Sequence, residues 1–128
     1  MKLLIDTHIA LWLFNEHENL SPTAKCYLRN EENLLNISIV SAWEIAIKHS
    51  LGKLTKFPGG VKRFLFAINK NPIRIITVLP EHVERVEELP YIHRDPFDRL
   101  IIATALCEDM AILTADENIR KYDVNCVW

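Results

Sequence analysis

Two aspartates three residues apart, Asp95 and Asp98, lie directly before an apolar run in the stretch HRDPFDRLIIATA. Asp is a preferred N-cap and Pro is favoured at the first helical position, so Asp95 and Pro96 fit the start of a helix. A carboxylate at the third position also interacts favourably with the helix dipole. The same spacing is compatible with a second use, in which Asp98 is one member of a catalytic or metal-binding group.

Further acidic residues follow the predicted strands. Asp6 ends the apolar run KLLID near the amino terminus, and Asp116 follows the predicted strand Ala111–Thr114. Glu44 follows the predicted strand Leu34–Ser38 and lies in the first turn of the next predicted helix. The carboxyl ends of parallel strands and the first turns of helices meet at one edge of an α/β sheet. We therefore expect these acids to lie together with the acid that opens the helix above.

Each acid also has a structural explanation. Asp6 and Asp116 can each cap the segment that follows them. Glu44 stands three residues after Ser41, which is a capping-box pattern, and four residues before Lys48, with which it can form an ion pair along a helix. Taken alone, no single carboxylate indicates a functional site.

Four carboxylates at one edge are harder to explain by capping. Each close pair of like charges costs on the order of 1 kcal/mol or more. A hard divalent cation such as Mg²⁺ or Mn²⁺ relieves this repulsion, because it binds carboxylate oxygens and retains several waters. Such a site suits phosphodiester hydrolysis. The sequence contains no competing Ser, Cys or His nucleophile arrangement.

Short apolar segments alternate with helical segments along the whole chain. This alternation predicts an α/β fold with a mainly parallel central sheet between layers of helices, in one domain over residues 1–128. The predicted strands are Lys2–Asp6, Leu34–Ser38, Ile73–Leu79, Ala111–Thr114 and Val124–Val127. The predicted helices are Ile9–Phe14, one that opens at Ser21-Pro22, then Ser41–Ser50, Gly60–Lys70, Glu81–Leu89, Pro96–Glu108 and Glu117–Lys121, with a turn at Lys56–Gly60.

Composition narrows the class of protein. The chain is 49% hydrophobic, so it can bury a core, and its net charge of −2 argues against indiscriminate nucleic-acid binding. No apolar run approaches the roughly 20 residues of a membrane span, and we expect no signal peptide and a cytoplasmic location. The three cysteines form no C-x-x-C pair, and the five histidines show no metal-type pairing, so we assign none of them to the site.

Four segments, taken in order, resemble the PIN-domain ribonucleases, and in particular the VapC toxins of toxin–antitoxin pairs. The resemblance covers essentially the whole chain and implies a three-layer α/β/α PIN-like fold. The first and last segments are weak signals alone, but all four at these spacings are specific. They are Leu4–His8, Ser41–Lys48, His93–Ala103 and Leu113–Asp116.

The resemblance implies a site. Asp6, Glu44, Asp98 and Asp116 match the acidic quartet that holds Mg²⁺ or Mn²⁺ and carries catalysis. Thr114 matches a hydroxyl beside the last acid, and Thr7 flanks the first. Asp95 then keeps the capping role or supports the site indirectly, whereas Asp98 serves both the helix and the metal.

The resemblance also implies partners. The family cuts RNA at phosphodiester bonds, often in tRNA or ribosomal RNA, and its toxins are silenced by a cognate antitoxin protein. Members usually form homodimers. The sequence names neither the RNA nor the antitoxin.

Contacts to RNA are less specific. Lys48, Lys53, Arg94 and Arg99 lie next to the motif segments and could meet phosphates, although solvated surface or ion pairing explains each of them as well. The tryptophans at positions 12 and 43 are expected in the core or at a dimer interface rather than under RNA bases.

Four alternatives remain to be separated. A phosphorylated receiver module needs an acceptor Asp after a central strand, yet no Asp occurs between Thr7 and Arg94. A haloacid-dehalogenase-type phosphatase needs D-x-D after the first strand, where this chain has Asp6-Thr7-His8. A catalytically silent PIN-fold binding module and a DNA- or flap-cutting PIN nuclease share the same residues, and only substrate tests distinguish them.

Overall fold

The sheet has five strands that are all parallel, in the order β3-β2-β1-β4-β5. A computed structural model describes residues 1–128. The strands are β1 (Lys2–Ile5), β2 (Leu34–Ser38), β3 (Ile73–Ile76), β4 (Ala111–Leu113) and β5 (Cys126–Val127). The helices are α1 (Thr7–Asn15), α2 (Pro22–Arg29), α3 (Ile39–Ser50), α4 (Gly60–Asn69), α5 (Pro80–Glu88) and α6 (Pro96–Glu108), and single 3₁₀ turns lie at His17–Asn19 and Ile119–Lys121.

Helices cover both faces of this sheet. In β1, Leu3 and Ile5 belong to a cluster that includes residues of α1 to α4, whereas Leu4 belongs to a second cluster with residues of α6. All three side chains are fully buried. A strand buried on both faces reads as a continuous apolar run, which is why β1 shows no alternation in the sequence. The predicted three-layer α/β/α architecture is therefore confirmed.

Helix starts position the residues that follow the strands. Ser21 caps α2, accepting a hydrogen bond from the backbone N–H of Ala24 at 2.9 Å, with Pro22 at the first position as predicted. The predicted start of α3 at Ser41 is wrong. The helix begins at Ile39, directly after β2, because the Ser38 hydroxyl accepts a hydrogen bond from the N–H of Val40 at 3.1 Å. Because of this earlier start, every residue of α3 lies two positions further from the beginning of the helix than predicted.

The last third of the chain is less regular than predicted. β3 ends at Ile76 rather than Leu79, and the predicted helix over 117–121 is only a 3₁₀ turn. β5 has two residues, because its pairing with β4 is limited to Ile112 and Leu113. None of the helices combines the length and apolar character required to cross a membrane.

Candidate active site

Asp6 lies at the centre of the carboxyl edge of the sheet. It follows β1 directly, and β1 lies between β2 and β4. Its side chain makes no capping hydrogen bond to α1, so the capping explanation for this residue is wrong. Oδ2 accepts a hydrogen bond from the hydroxyl of Thr114 at 2.8 Å, whereas Oδ1 is buried and has no partner. A buried carboxylate oxygen without a partner is costly, and such atoms in folded proteins need an explanation.

Glu44 reaches the same edge from α3. Because α3 starts at Ile39, Glu44 lies in its second turn, and neither the predicted first-turn position nor the capping box with Ser41 exists. The residue is 2% exposed. Its Oε2 pairs with Lys48 Nζ at 2.5 Å, as the helical spacing predicted, and its Oε1 is buried without a partner.

Asp95 and Asp98 divide the two roles that their spacing allows. Asp95 Oδ1 accepts hydrogen bonds from the N–H groups of Phe97, at 2.8 Å, and Asp98, at 3.2 Å, so Asp95 caps α6. The carboxylate of Asp98 is buried and makes no capping bond. This confirms the capping role of Asp95 and leaves the side chain of Asp98 available at the site.

Thr114 and Asp116 complete the arrangement after β4. The buried Thr114 hydroxyl donates to Asp6 and accepts from the N–H of Asp116 at 3.0 Å, so it ties the loop after β4 to the end of β1. Asp116 Oδ1 accepts from the N–H of Asn118 at 2.7 Å and closes a turn rather than capping a longer helix. Its Oδ2 remains directed at the site. Thr7 donates its hydroxyl to Ser41 at 2.7 Å and joins α1 to α3.

His93 belongs to the site, and the sequence analysis missed it. Its Nε2 lies 2.8 Å from Asp98 Oδ2 and 3.8 Å from Asp116 Oδ2. The three residues offer potential ligand atoms within 4.8 Å of one another. A single histidine has no partner at a metal-type spacing, so only its place five residues before Asp98 could have pointed to it.

The carboxylates interact strongly enough to change their proton affinities. The pKa of Asp98 is raised to about 7, first by burial and then by the negative charges of Asp6 and Asp95, although the hydrogen bond from His93 opposes the shift. Burial also raises the pKa of Asp6, and the charges of Glu44 and Asp116 add to that effect. In Lys48, the hydrogen bond and charge of Glu44 outweigh burial and raise the pKa.

The predicted RNA-contact residues have different environments. Arg99 is buried, and its guanidinium donates to the carbonyl oxygens of Pro90 and Val86 and to the hydroxyl of Tyr122. These bonds fix the segment between α5 and α6. Because its guanidinium is buried in them, the expectation that Arg99 contacts phosphate is wrong. Arg94 and Lys53 are exposed and form no ion pair. Lys48 is half-buried in its pair with Glu44.

The donor atoms fit a divalent metal ion. Two buried carboxylate oxygens, Asp6 Oδ1 and Glu44 Oε1, lack any hydrogen-bond donor, and burial, together with the other acids of the cluster, raises the pKa of Asp6 and Asp98. Carboxylate oxygens are the ligands that Mg²⁺ and Mn²⁺ prefer. Together with Asp98 and Asp116, these residues could hold such an ion.

Comparisons with known proteins place the chain in a family context. The PIN domain family model matches residues 3–125. No curated protein matches the sequence significantly. Similar solved structures include VapBC2 from Rickettsia felis bound to a DNA fragment from its promoter, which is 18% identical with a TM-score of 0.72, covering 99% of this chain and 98% of that one.

Two further solved structures have lower TM-scores. A toxin–antitoxin complex from Klebsiella pneumoniae is 19% identical, covers 98% of this chain and 96% of that one, and has a TM-score of 0.60. VapBC-1 from nontypeable Haemophilus influenzae is 13% identical, covers 99% and 97%, and also has a TM-score of 0.60. At these identities the three structures show a shared fold.

The metal-free protein should be least stable at alkaline pH. In the unfolded chain Asp98 titrates near 3.8 and in the fold at about 7, so the folded state retains a proton that the unfolded chain releases. The contribution of Asp98 to the free energy of unfolding is therefore fully present below about pH 4, and it is lost as the pH rises towards and through about 7. We expect a loss of about 1–3 kcal/mol between pH 5 and pH 8 in chelator, measured by urea unfolding.

Asp6→Asn should remove part of this loss by relieving repulsion, and Mg²⁺ or Mn²⁺ should restore the stability of the unmodified protein at pH 8. Asp123→Asn, at an exposed position without hydrogen bonds, is the matched control. If Asp6→Asn is clearly less stable in chelator than the unmodified protein and the Asp123→Asn control, the carboxylates do not repel each other as described.

Proposed function

The chain belongs to the PIN-domain family, and we propose that it is a Mg²⁺- or Mn²⁺-dependent endoribonuclease that acts as the toxin of a toxin–antitoxin pair. The observation that carries the proposal is the meeting of Asp6, Glu44, Asp98 and Asp116 at one sheet edge, with two buried carboxylate oxygens left without partners. Family membership supports nuclease action as the chemistry of such a cluster. tRNA or ribosomal RNA is the substrate class that the sequence resemblance favours.

The four carboxylates would hold the ion, and neighbouring side chains keep them oriented. Thr114 fixes one oxygen of Asp6, and Lys48 fixes one oxygen of Glu44. In each case the second oxygen is left free for the metal. When bound, Mg²⁺ or Mn²⁺ activates a water for attack and stabilises negative charge on the phosphate.

His93 acts against protonation of Asp98 in this scheme. Its Nε2 and Asp98 Oδ2 share a hydrogen bond at 2.8 Å. The hydrogen bond from His93 favours the ionised form of Asp98, and so it opposes the burial and the negative charges that raise the pKa of this carboxyl to about 7. His93 therefore favours the carboxylate that metal binding requires.

The proposed partners follow from the comparisons and the surface. Each of the three similar structures is described as a toxin–antitoxin complex or as VapBC, which supports a cognate antitoxin for this chain. A homodimer is part of the same proposal. Trp43 is 58% exposed and its ring packs edge-on against Phe97 at 5.0 Å, whereas Trp12 is half-buried against Trp128. Of the two tryptophans named from the sequence, Trp43 is thus the one available to a second subunit.

RNA end-mapping tests the proposed activity. Total cellular RNA is incubated with antitoxin-free protein and Mg²⁺ or Mn²⁺, with Asp6→Asn in parallel, and new ends are sequenced. We expect discrete new ends from the unmodified protein alone, because Asp6 supplies a central metal-binding oxygen. Absence of new ends from folded, metal-supplied protein would contradict ribonuclease action, and cleavage of DNA in a parallel incubation would favour a DNA-cutting enzyme.

The division between Asp95 and Asp98 makes a second prediction. Asp98→Asn should reduce cleavage by at least about 100-fold, more than the loss of an indirect partner costs, whereas Asp95→Asn should reduce it by less than about tenfold. Asp95→Ala should instead lower the free energy of unfolding by about 1 kcal/mol, because it removes the helix cap. Initial cleavage rates and urea unfolding measure the two effects, and equal losses of activity at both positions would refute the division.

A further inference from the structure

A cavity of about 300 Å³ lies between α1 and the segment that follows α3. One wall consists of successive positions on one face of α1, including His8, Leu11 and Trp12. The other consists of residues 53–57. The amide of Asn15 donates to the carbonyl oxygen of Lys56 and holds the two walls together. The cavity is thus a built feature of the fold with the volume of a small ligand pocket.

One wall begins two residues after Asp6, and the other follows the helix that carries Glu44. His8 stands two residues after Asp6, and its charge is close enough to lower the pKa of that acid. On the other wall, the N–H of Lys53 donates to the carbonyl oxygen of Lys48, whose side chain pairs with Glu44. A nucleic-acid strand bound at the carboxylates would reach this cavity past His8.

The charges of the cavity suit an anionic ligand. Lys53 and Lys56 are exposed and form no ion pair, and His8 is exposed at the mouth. Glu16 is the only acid that lines the cavity. This arrangement contrasts with the net charge of −2 of the whole chain. Between the cations, Leu11, Trp12 and Leu54 form an apolar surface.

We propose that this cavity is a nucleotide subsite, which binds the nucleotide next to the cleaved phosphodiester bond and rests on the nuclease function proposed above. Lys53 and Lys56 each contact one of the phosphates that flank this nucleotide. The apolar surface at Leu11 and Trp12 contacts its base, which differs from the expectation for Trp12 from the sequence alone. Cations that follow a backbone together with aromatic side chains that receive bases are the two components of single-strand recognition. An acidic protein segment would also satisfy the lysines, and equal RNA binding by the variants below would favour that occupant.

Binding of a short, random-sequence, fluorescein-labelled single-stranded RNA tests the subsite. Anisotropy titrations are run in chelator, so that cleavage does not compete, between about 50 and about 200 mM salt. The double variant Lys53→Gln/Lys56→Gln is compared with Lys62→Gln/Lys121→Gln, which removes the same charge from exposed positions outside the cavity. The cavity variant should bind about tenfold more weakly, and its slope of log K against log salt should fall by about 1.4, since each lost phosphate contact contributes about 0.7. The control should match the unmodified protein.

Photocrosslinking locates the base. The same RNA carrying 4-thiouridine should crosslink to residues 8–16 or 53–57, as read by mass spectrometry of the peptides. Equal RNA affinity and slope for the two double variants, with crosslinks confined to other segments, would overturn the subsite while RNA cleavage by the unmodified protein still supported the nuclease. Failure of the unmodified protein both to bind and to cut RNA would overturn both proposals.

Discussion

The candidate site depends on a repulsion between carboxylates that the fold itself does not relieve. Carboxylates from separate elements meet at the carboxyl edge of one parallel sheet, and their mutual charge and burial raise the pKa of Asp6 and Asp98. The cluster cannot disperse, because Asp6 follows three fully buried residues of the central strand directly. Burial of these apolar side chains, worth about 1.5–3 kcal/mol each, holds the acids together. A bound divalent cation would turn this cost into affinity.

The residues around the cluster have a common design. Thr114 satisfies one oxygen of Asp6, and Lys48 satisfies one oxygen of Glu44, while the second oxygen of each carboxylate stays without a partner. His93 bonds one oxygen of Asp98 in the same way. Half-satisfied carboxylates are fixed in direction yet keep capacity for a metal ligand bond, which is how indirect partners orient metal ligands.

The sequence predicted the fold and the approach of the acids, because both follow from periodicity and from the geometry of parallel sheets. It misplaced the start of α3, since Ser38 and Ser41 are both good caps and only the end of β2 selects the first. It provided no indication of His93, which has no spacing signal. It also led us to expect an exposed Arg99, whereas the burial of this residue depends on carbonyl oxygens of Val86 and Pro90 that only the folded chain brings near it. The errors fall where tertiary contacts, and not local pattern, determine a side chain's surroundings.

Anomalous diffraction from crystals equilibrated with Mn²⁺ tests the central claim most directly, because it locates the ion without reference to any substrate. The account predicts a peak at the carboxyl edge of the sheet, within ligand distance of Asp6 and of at least one of Glu44, Asp98 and Asp116. A saturated crystal with no peak at this edge would contradict the account, since the unpartnered oxygens of Asp6 and Glu44 would then need another explanation.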